Sequence, residues 1–192
     1  MKLLALLLLT LPAHADTIRI KTYAISGITG PALYASIGDK GPMLGGGRRV
    51  IAFTNWDLKW TRSYVPEKAA GGGRCTLATA APHLIITITL PKPSAPLTGA
   101  LAAHWQTFIT GIEAHERTHA ADIQTMVETI TRETVGLTEA NDPQCKSIRK
   151  TVLAKVQAAN EAYKAASRAF DKVEMGAGGN VNGLVLGLVN GG

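Results

Sequence analysis

Two histidines and a glutamate, His115, Glu116 and His119, form the pattern H-E-x-x-H within the stretch GIEAHERTHAAD. On a helix, residues four apart project from one face about one turn apart, so both imidazoles can bind a single ion. Glu116 follows the first histidine, where its carboxylate can take a proton from a water molecule whose pKa zinc lowers to about 7. The motif predicts a hydrolytic centre with zinc as cofactor, the two histidines as ligands and Glu116 as general base.

The motif lies within a predicted helix that covers about residues 98–135. Apolar residues recur at three- and four-residue steps before and after it: Leu101, Trp105, Phe108, Ile112, Ile123, Met126 or Val127, and Ile130. A second segment rich in helix formers begins at Asp142 and Pro143 and ends before Gly176. Two long helices with a short connection should pack antiparallel.

The first half of the chain predicts strands separated by glycine. The segments TIRIKTYAISG, VIAFTNWDLKWTRSY and HLIITITLP alternate apolar and polar residues, which is the period of half-buried strands. The residues expected to face inward are Ala52, Thr54, Trp56, Leu58 and Trp60, and then Leu84, Ile86, Ile88 and Leu90. The predicted fold class is α+β, with a small, mainly antiparallel sheet followed by a two-helix antiparallel hairpin that carries the motif.

The amino terminus is typical of a secretory signal peptide. A lysine precedes an apolar run over residues 3–9, and the small-x-small sequence AHA at residues 13–15 is a cleavage site. The apolar run is shorter than the roughly 20 residues of a membrane span. We therefore expect a signal peptide (1–15), a single domain (16–175) and a flexible glycine-rich tail (176–192) whose apolar residues could cover a groove. The mature protein is expected to be exported, periplasmic or extracellular, without stable membrane insertion.

Composition restricts the partners and predicts a covalent cross-link. The formal net charge is +6, but the basic residues are scattered rather than clustered, which argues against a nucleic-acid surface. The chain has two cysteines, Cys75 and Cys145. An even pair of cysteines in an exported protein predicts a disulfide.

Segments along most of the chain carry a resemblance. They are TYAISGITGPALYASIGDKGP, TNWDLKW, RCTLATAAPHLIITITLP, the HW pair at residues 104–105, EAHERTHAADI, and FDKVEMGAGG. Together they resemble a family of bacterial secreted proteins that is classed as a domain of unknown function and predicted to comprise zinc-dependent proteases. The resemblance implies metallopeptidase activity outside the cytoplasm, with a peptide or protein as substrate.

The third metal ligand is the point at which the chain departs from the family. The family pattern implies a histidine after a Tyr-Asp pair, but here a Phe-Asp pair ends at Asp171 and Gly176 stands where the histidine would be. A catalytic zinc usually has three protein ligands and a water, so a carboxylate should complete the site. Asp171 is the first choice, because it lies in the matching segment. Glu174 is close to the position of the missing histidine, and simple antiparallel helix pairing places Glu161 opposite the second histidine of the motif.

Two functions follow from these patterns. The first is an exported zinc-dependent metallopeptidase, and a peptide is favoured because a sheet edge beside the motif could take an extended chain by strand addition. Either TNWDLKW or LIITITL could supply that edge. The alternative is a non-catalytic secreted binding or envelope-assembly module with a structural or lost metal site, which the missing histidine favours.

Overall fold

A computed structural model describes residues 17–69 and 72–191, so the predicted signal peptide lies outside the described residues. The elements, in chain order, are β1 (Thr17–Ile25), α1 (Gly30–Lys40), β2 (Phe53–Glu67), β3 (Arg74–Pro93), α2 (Gly99–Thr134), β4 (Thr138–Ala140), α3 (Lys146–Met175) and α4 (Asn180–Asn190). No helix in the described ranges is long and apolar enough to cross a membrane.

The sheet is built around β3. Strand β1 runs parallel to the second half of β3, from residue 85 to residue 93, and β2 runs antiparallel along its length. The short β4 pairs antiparallel with the first three residues of β3. The sheet is therefore mixed, with β1 and β2 on either side of β3. The predicted α+β class, with strands first and a long helix pair after them, is confirmed.

The main core lies between the sheet and α2. The predicted inward positions Leu84, Ile86, Ile88 and Leu90 are buried, and so are the apolar residues of the α2 stripe that flank the histidines. On β2, Thr54 is buried between exposed neighbours on either side. Because both patterns bury the faces that the sequence predicts, α2 presents its histidines toward the interior of the fold and not toward solvent.

The start of α3 is fixed twice. The predicted disulfide between Cys75 and Cys145 is present, and it joins the residue just before this helix to the start of β3. The carboxylate of Asp142 accepts hydrogen bonds from the backbone N–H groups of Lys146 at 2.7 Å and Ile148 at 2.9 Å. These bonds satisfy amides that have no partner inside the helix.

The prediction of a flexible tail over residues 176–192 is wrong for the second half of that range. Asn180–Asn190 form α4, which packs against α1 and α2 with Val181 and Leu188 buried. The contact with α1 depends on Gly30, because a side chain there would overlap the backbone oxygen of Leu188. The close contact thus depends on a glycine of α1 and not on the glycines within α4, while Val181 and Leu188 of α4 complete the core.

Helix α1 was not among the predicted elements. Thr29 caps it, since its hydroxyl oxygen accepts a hydrogen bond from the N–H of Ala32 at 3.3 Å, and Pro31 stands in the first turn. Leu33 and Ile37, four residues apart, bury one face. These signals are local and short, and the strand alternation on either side concealed them.

Candidate metal centre

Helix α2 presents His115, Glu116 and His119 into one cleft. The three side chains belong to residues that are 5%, 6% and 8% exposed. They line a cleft of about 640 Å³ between α2, α3, the start of β2 and the segment before it. Buried polar groups must find partners, so the neighbours of these three residues define what the site can do.

Asp171 of α3 meets both histidines. Its Oδ1 lies 2.9 Å from His119 Nε2 and 3.3 Å from His115 Nε2, and the two nitrogens are 3.1 Å apart. A tetrahedral ion with bonds of about 2.0–2.1 Å places its ligand atoms about 3.3 Å from one another. The three donor atoms therefore have the spacing that a metal ion requires, and this group could hold one.

The charges of the three groups lead to the same conclusion. Burial lowers the pKa of His119, but the hydrogen bond to Asp171 and its charge outweigh burial, so this pKa is raised above 6.5. Burial raises the pKa of Asp171, but hydrogen bonds with His115 and His119 hold it well below 3.8. The lone pairs of the two Nε2 atoms and of Asp171 Oδ1 repel one another at these distances unless a positive charge lies between them. Either a proton or a metal ion can supply that charge.

The other side of each imidazole is also in a defined environment. Ser167 Oγ lies 3.2 Å from His119 Nδ1. The ring of Phe170 stacks on His115 at 4.8 Å and meets His119 edge-on at 5.3 Å. His115 Nδ1 is buried with no hydrogen-bond partner in the part of the chain that the structure describes, and Glu174 Oε2 lies 3.6 Å from it. A proton on each Nδ1 leaves both Nε2 atoms free to bind a metal.

Glu116 is held by the sheet. Thr54 Oγ1 donates a hydrogen bond to Glu116 Oε2 at 2.6 Å, and the pair is buried. Burial raises the pKa of Glu116 above 4.5, while the Thr54 bond and the two histidines act in the opposite direction. The carboxylate thus has a fixed position beside the three donor atoms and an increased affinity for protons, both of which suit a general base.

Of the predicted third ligands, the structure places Asp171 in the group and Glu174 just behind it. Glu161 lies elsewhere, exposed and paired with a lysine at 2.9 Å. The prediction that Glu161 lies opposite His119 is wrong because the connection between α2 and α3 is not a symmetric turn. Its first part pairs with β3 as β4, and its end is bonded to β3 by the disulfide at Cys145. His83 and His104 lie outside the group.

Two contributors to the site were not predicted. Thr54 is a polar residue on an otherwise apolar inward face of β2, and this anomaly is its only signal in the sequence. Ser167 precedes Asp171 by four residues, so the two share one face of α3. Their partners could be found only once the sheet and both helices were in place.

Fold and site together define an α+β protein with a candidate centre of two histidines and one aspartate on a pair of long helices. A family model described as "Bacterial protein of unknown function (DUF922)" matches residues 20–179, and the chain belongs to this family. The match contains all three donor residues and Glu116, while the description names no activity. No curated protein and no solved structure matches the chain.

Proposed function

We propose that the protein is an exported zinc-dependent peptidase of the periplasm or the extracellular space. The observation that carries the proposal is the convergence of His115 Nε2, His119 Nε2 and Asp171 Oδ1 within 3.3 Å of one another. Glu116, which lines the same cleft, is the general base.

The donor set suits zinc in a catalytic rather than a structural role. Two imidazole nitrogens and one carboxylate oxygen are ligands that zinc prefers. Structural zinc sites are usually closed by four protein ligands, whereas catalytic sites have three and an open position. The described residues bring three such groups together beside an open cleft. This count favours the peptidase over a module that uses the metal only for stability.

The residues of the chain divide the work of hydrolysis. Zinc bound at these ligands would polarise the scissile carbonyl and lower the pKa of a water molecule. Glu116 takes the proton from the attacking water and later gives it to the leaving amine. Thr54 keeps the carboxylate in place during both transfers, and the low exposure of the site strengthens each electrostatic contact.

The position of β2 supports a peptide as substrate. Strand β2 ends the sheet on one side, so its outer edge has no strand partner among the described residues. Its first residues, Phe53 and Thr54, line the cleft. An extended chain that adds to this edge would therefore pass beside the metal ligands, held by backbone hydrogen bonds of its own. The other candidate, the segment LIITITL in β3, is excluded because β1 pairs with one of its edges and β2 with the other.

A pair of variants tests this function. Glu116→Gln should keep one zinc per chain by elemental analysis and lose peptide cleavage by at least about 100-fold, because it removes only the base. Glu113→Gln is the matched control, since Glu113 lies one turn earlier, half-buried and paired with Arg117 at 2.6 Å. The double variant His115→Ala, His119→Ala should contain no zinc. Undiminished cleavage by Glu116→Gln, or a wild type that binds no zinc when zinc is supplied, would overturn the proposal.

A further inference from the structure

The cleft is lined by positive charge on two sides. Arg48 and Arg49 come from the segment before β2, and Arg168 and Lys172 come from α3. The carboxylates among the described residues that line it are Glu116 and Asp171, which already belong to the proposed site. Four cationic side chains thus line a cleft whose two carboxylates already have roles at the proposed metal site.

The α3 side places its charges next to the metal ligand. Arg168 and Lys172 are four residues apart, so their side chains leave the same face of the helix. Asp171, which lies between them in sequence, lines the cleft with them. An anionic group bound by this pair would therefore lie in the same cleft as a peptide bond held at the donor atoms, on the side of Asp171.

The opposite side is a small hairpin. The N–H of Leu44 donates to the oxygen of Arg48 at 2.8 Å, and Gly46 and Gly47, with φ of 83° and 77°, make the turn. Arg49 is held by a hydrogen bond from its Nη1 to the oxygen of Gly41 at 2.7 Å. The hairpin therefore positions the backbone of Arg48 at the mouth of the cleft.

These charges are not consumed inside the protein. Neither Arg48 nor Lys172 has an ion pair within residues 17–69 and 72–191. Arg168 acts on Glu161 only through its longer-range charge, and Glu161 has its own partner in Lys164. Both sides of the cleft therefore keep cations available for a ligand.

We propose that the cleft selects substrates with a carboxylate close to the scissile bond, an inference that rests on the proposed peptidase function. The carboxylate can come from an acidic side chain or from the free carboxyl terminus of a short peptide. Guanidinium groups bind carboxylates in a planar, two-bond arrangement, and a cleft lined by one sign of charge also speeds the approach of an opposite charge.

Peptide binding to zinc-loaded Glu116→Gln protein tests this inference without turnover. Fluorescent peptides of one length, with glutamate or glutamine beside the central bond and with a free or amidated carboxyl terminus, give the affinities. We expect the best anionic peptide to bind at least about tenfold more tightly than the neutral one at low salt, and this advantage to shrink as salt is added. Whether glutamine substitution or amidation removes the advantage identifies the source of the carboxylate.

Charge-removing variants assign the preference to the cleft. Arg168→Gln with Lys172→Gln should abolish the anionic advantage, and Arg48→Gln should reduce it. The matched control is Lys146→Gln with Lys150→Gln, which removes the same charge from exposed positions at the far end of α3. Equal affinity for anionic and neutral peptides, no binding of any anionic peptide, or an advantage that survives the Arg168 and Lys172 changes would overturn the inference.

The outcome separates this inference from the peptidase itself. Cleavage of peptides by the wild type without anionic preference removes the inference and keeps the peptidase. Anionic preference in binding, with no cleavage by the wild type, keeps the charged cleft and removes the peptidase.

Discussion

Thr54 Oγ1 lies 2.6 Å from Glu116 Oε2, so the edge strand of the sheet holds the acid of the helix that carries both histidines. Thr54→Val keeps the shape of the side chain and removes this bond. Because the bond lowers the pKa of Glu116 against the effect of burial, the pKa should rise further. The acidic limb of the rate profile should therefore move to higher pH, with a stability loss of about 1–3 kcal/mol. Thr54→Ser keeps the hydroxyl and should leave the limb in place; the same limb in all three proteins would exclude this role.

Asp171→Ala should weaken zinc binding by more than about 100-fold, since changes behind a ligand already cost 10- to 100-fold. Glu161→Ala should have no effect on affinity, because Glu161 is exposed and paired with Lys164. Glu174→Gln should give a smaller loss, because Glu174 lies behind His115 at 3.6 Å. Competition with a chelating dye measures all three. Full affinity in Asp171→Ala with a large loss in Glu174→Gln would transfer the ligand to Glu174.

Zinc affinity should fall as the pH is lowered through the pKa of His119, which lies above 6.5. The metal must displace the proton that Asp171 stabilises on His119, whose pKa is raised. Affinity should fall about tenfold per pH unit below that pKa and level off above it.

The stability of the metal-free protein should depend on pH in a different way. Because the pKa of His119 is raised in the folded state, this residue contributes stability that is lost as the pH rises through its folded pKa. Because the pKa of Asp171 is lowered, this residue contributes stability that is lost only in strong acid. Zinc titrations and urea unfolding between pH 5 and 9 check both trends; a flat affinity profile across this range would contradict the first.

Replacing Cys75 and Cys145 by serine should lower the free energy of unfolding by about 4 kcal/mol, because the disulfide closes a loop with a sequence separation of 70. Urea unfolding with and without reductant measures the loss. The wild type under reduction should match the serine variant. An unchanged unfolding midpoint in both would show that the cross-link does not constrain the unfolded chain.

Gly30→Ala should destabilise the protein, since the new methyl group would overlap the backbone oxygen of Leu188 in α4. Gly38→Ala in the same helix is the control, because no atom lies within 4 Å of the added carbon. The control should be neutral or more stable by up to about 1 kcal/mol, owing to the higher helix propensity of alanine. Thermal unfolding compares the two. Equal stability of both variants would mean that α4 does not pack on α1 as described.

Long, regular patterns were predictable from the sequence. The period-two alternation of β2 and β3 and the helical stripe of α2 each repeat over many residues, and each identifies one buried face. That is why the orientation of His115 and His119 could be predicted before the fold was known. Glu116 followed from the motif alone, since its neighbours in the helix fix its direction.

Contacts between distant elements were not predictable in the same way. Asp171 was one of three candidate ligands because the relative register of α2 and α3 depends on β4 and the disulfide, and neither feature has a periodic signal. The order of α4 was missed because a glycine-rich segment is typical of a loose chain, and only the presence of α1, whose Gly30 lies against Leu188 of α4, shows that this segment packs.

Helix α3 is attached near both of its ends, by the disulfide at Cys145 and by Asp171 at the histidines. A rigid helix that is fixed at one end has its rotation about its own axis largely set along its whole length. The disulfide at Cys145 and the hydrogen bond from Lys146 N to Asp142 at the start of α3 thus help to set which face of this helix meets α2 about seven turns further on. On that face Phe170 stacks on His115, and Asp171 meets the donor nitrogens of both histidines.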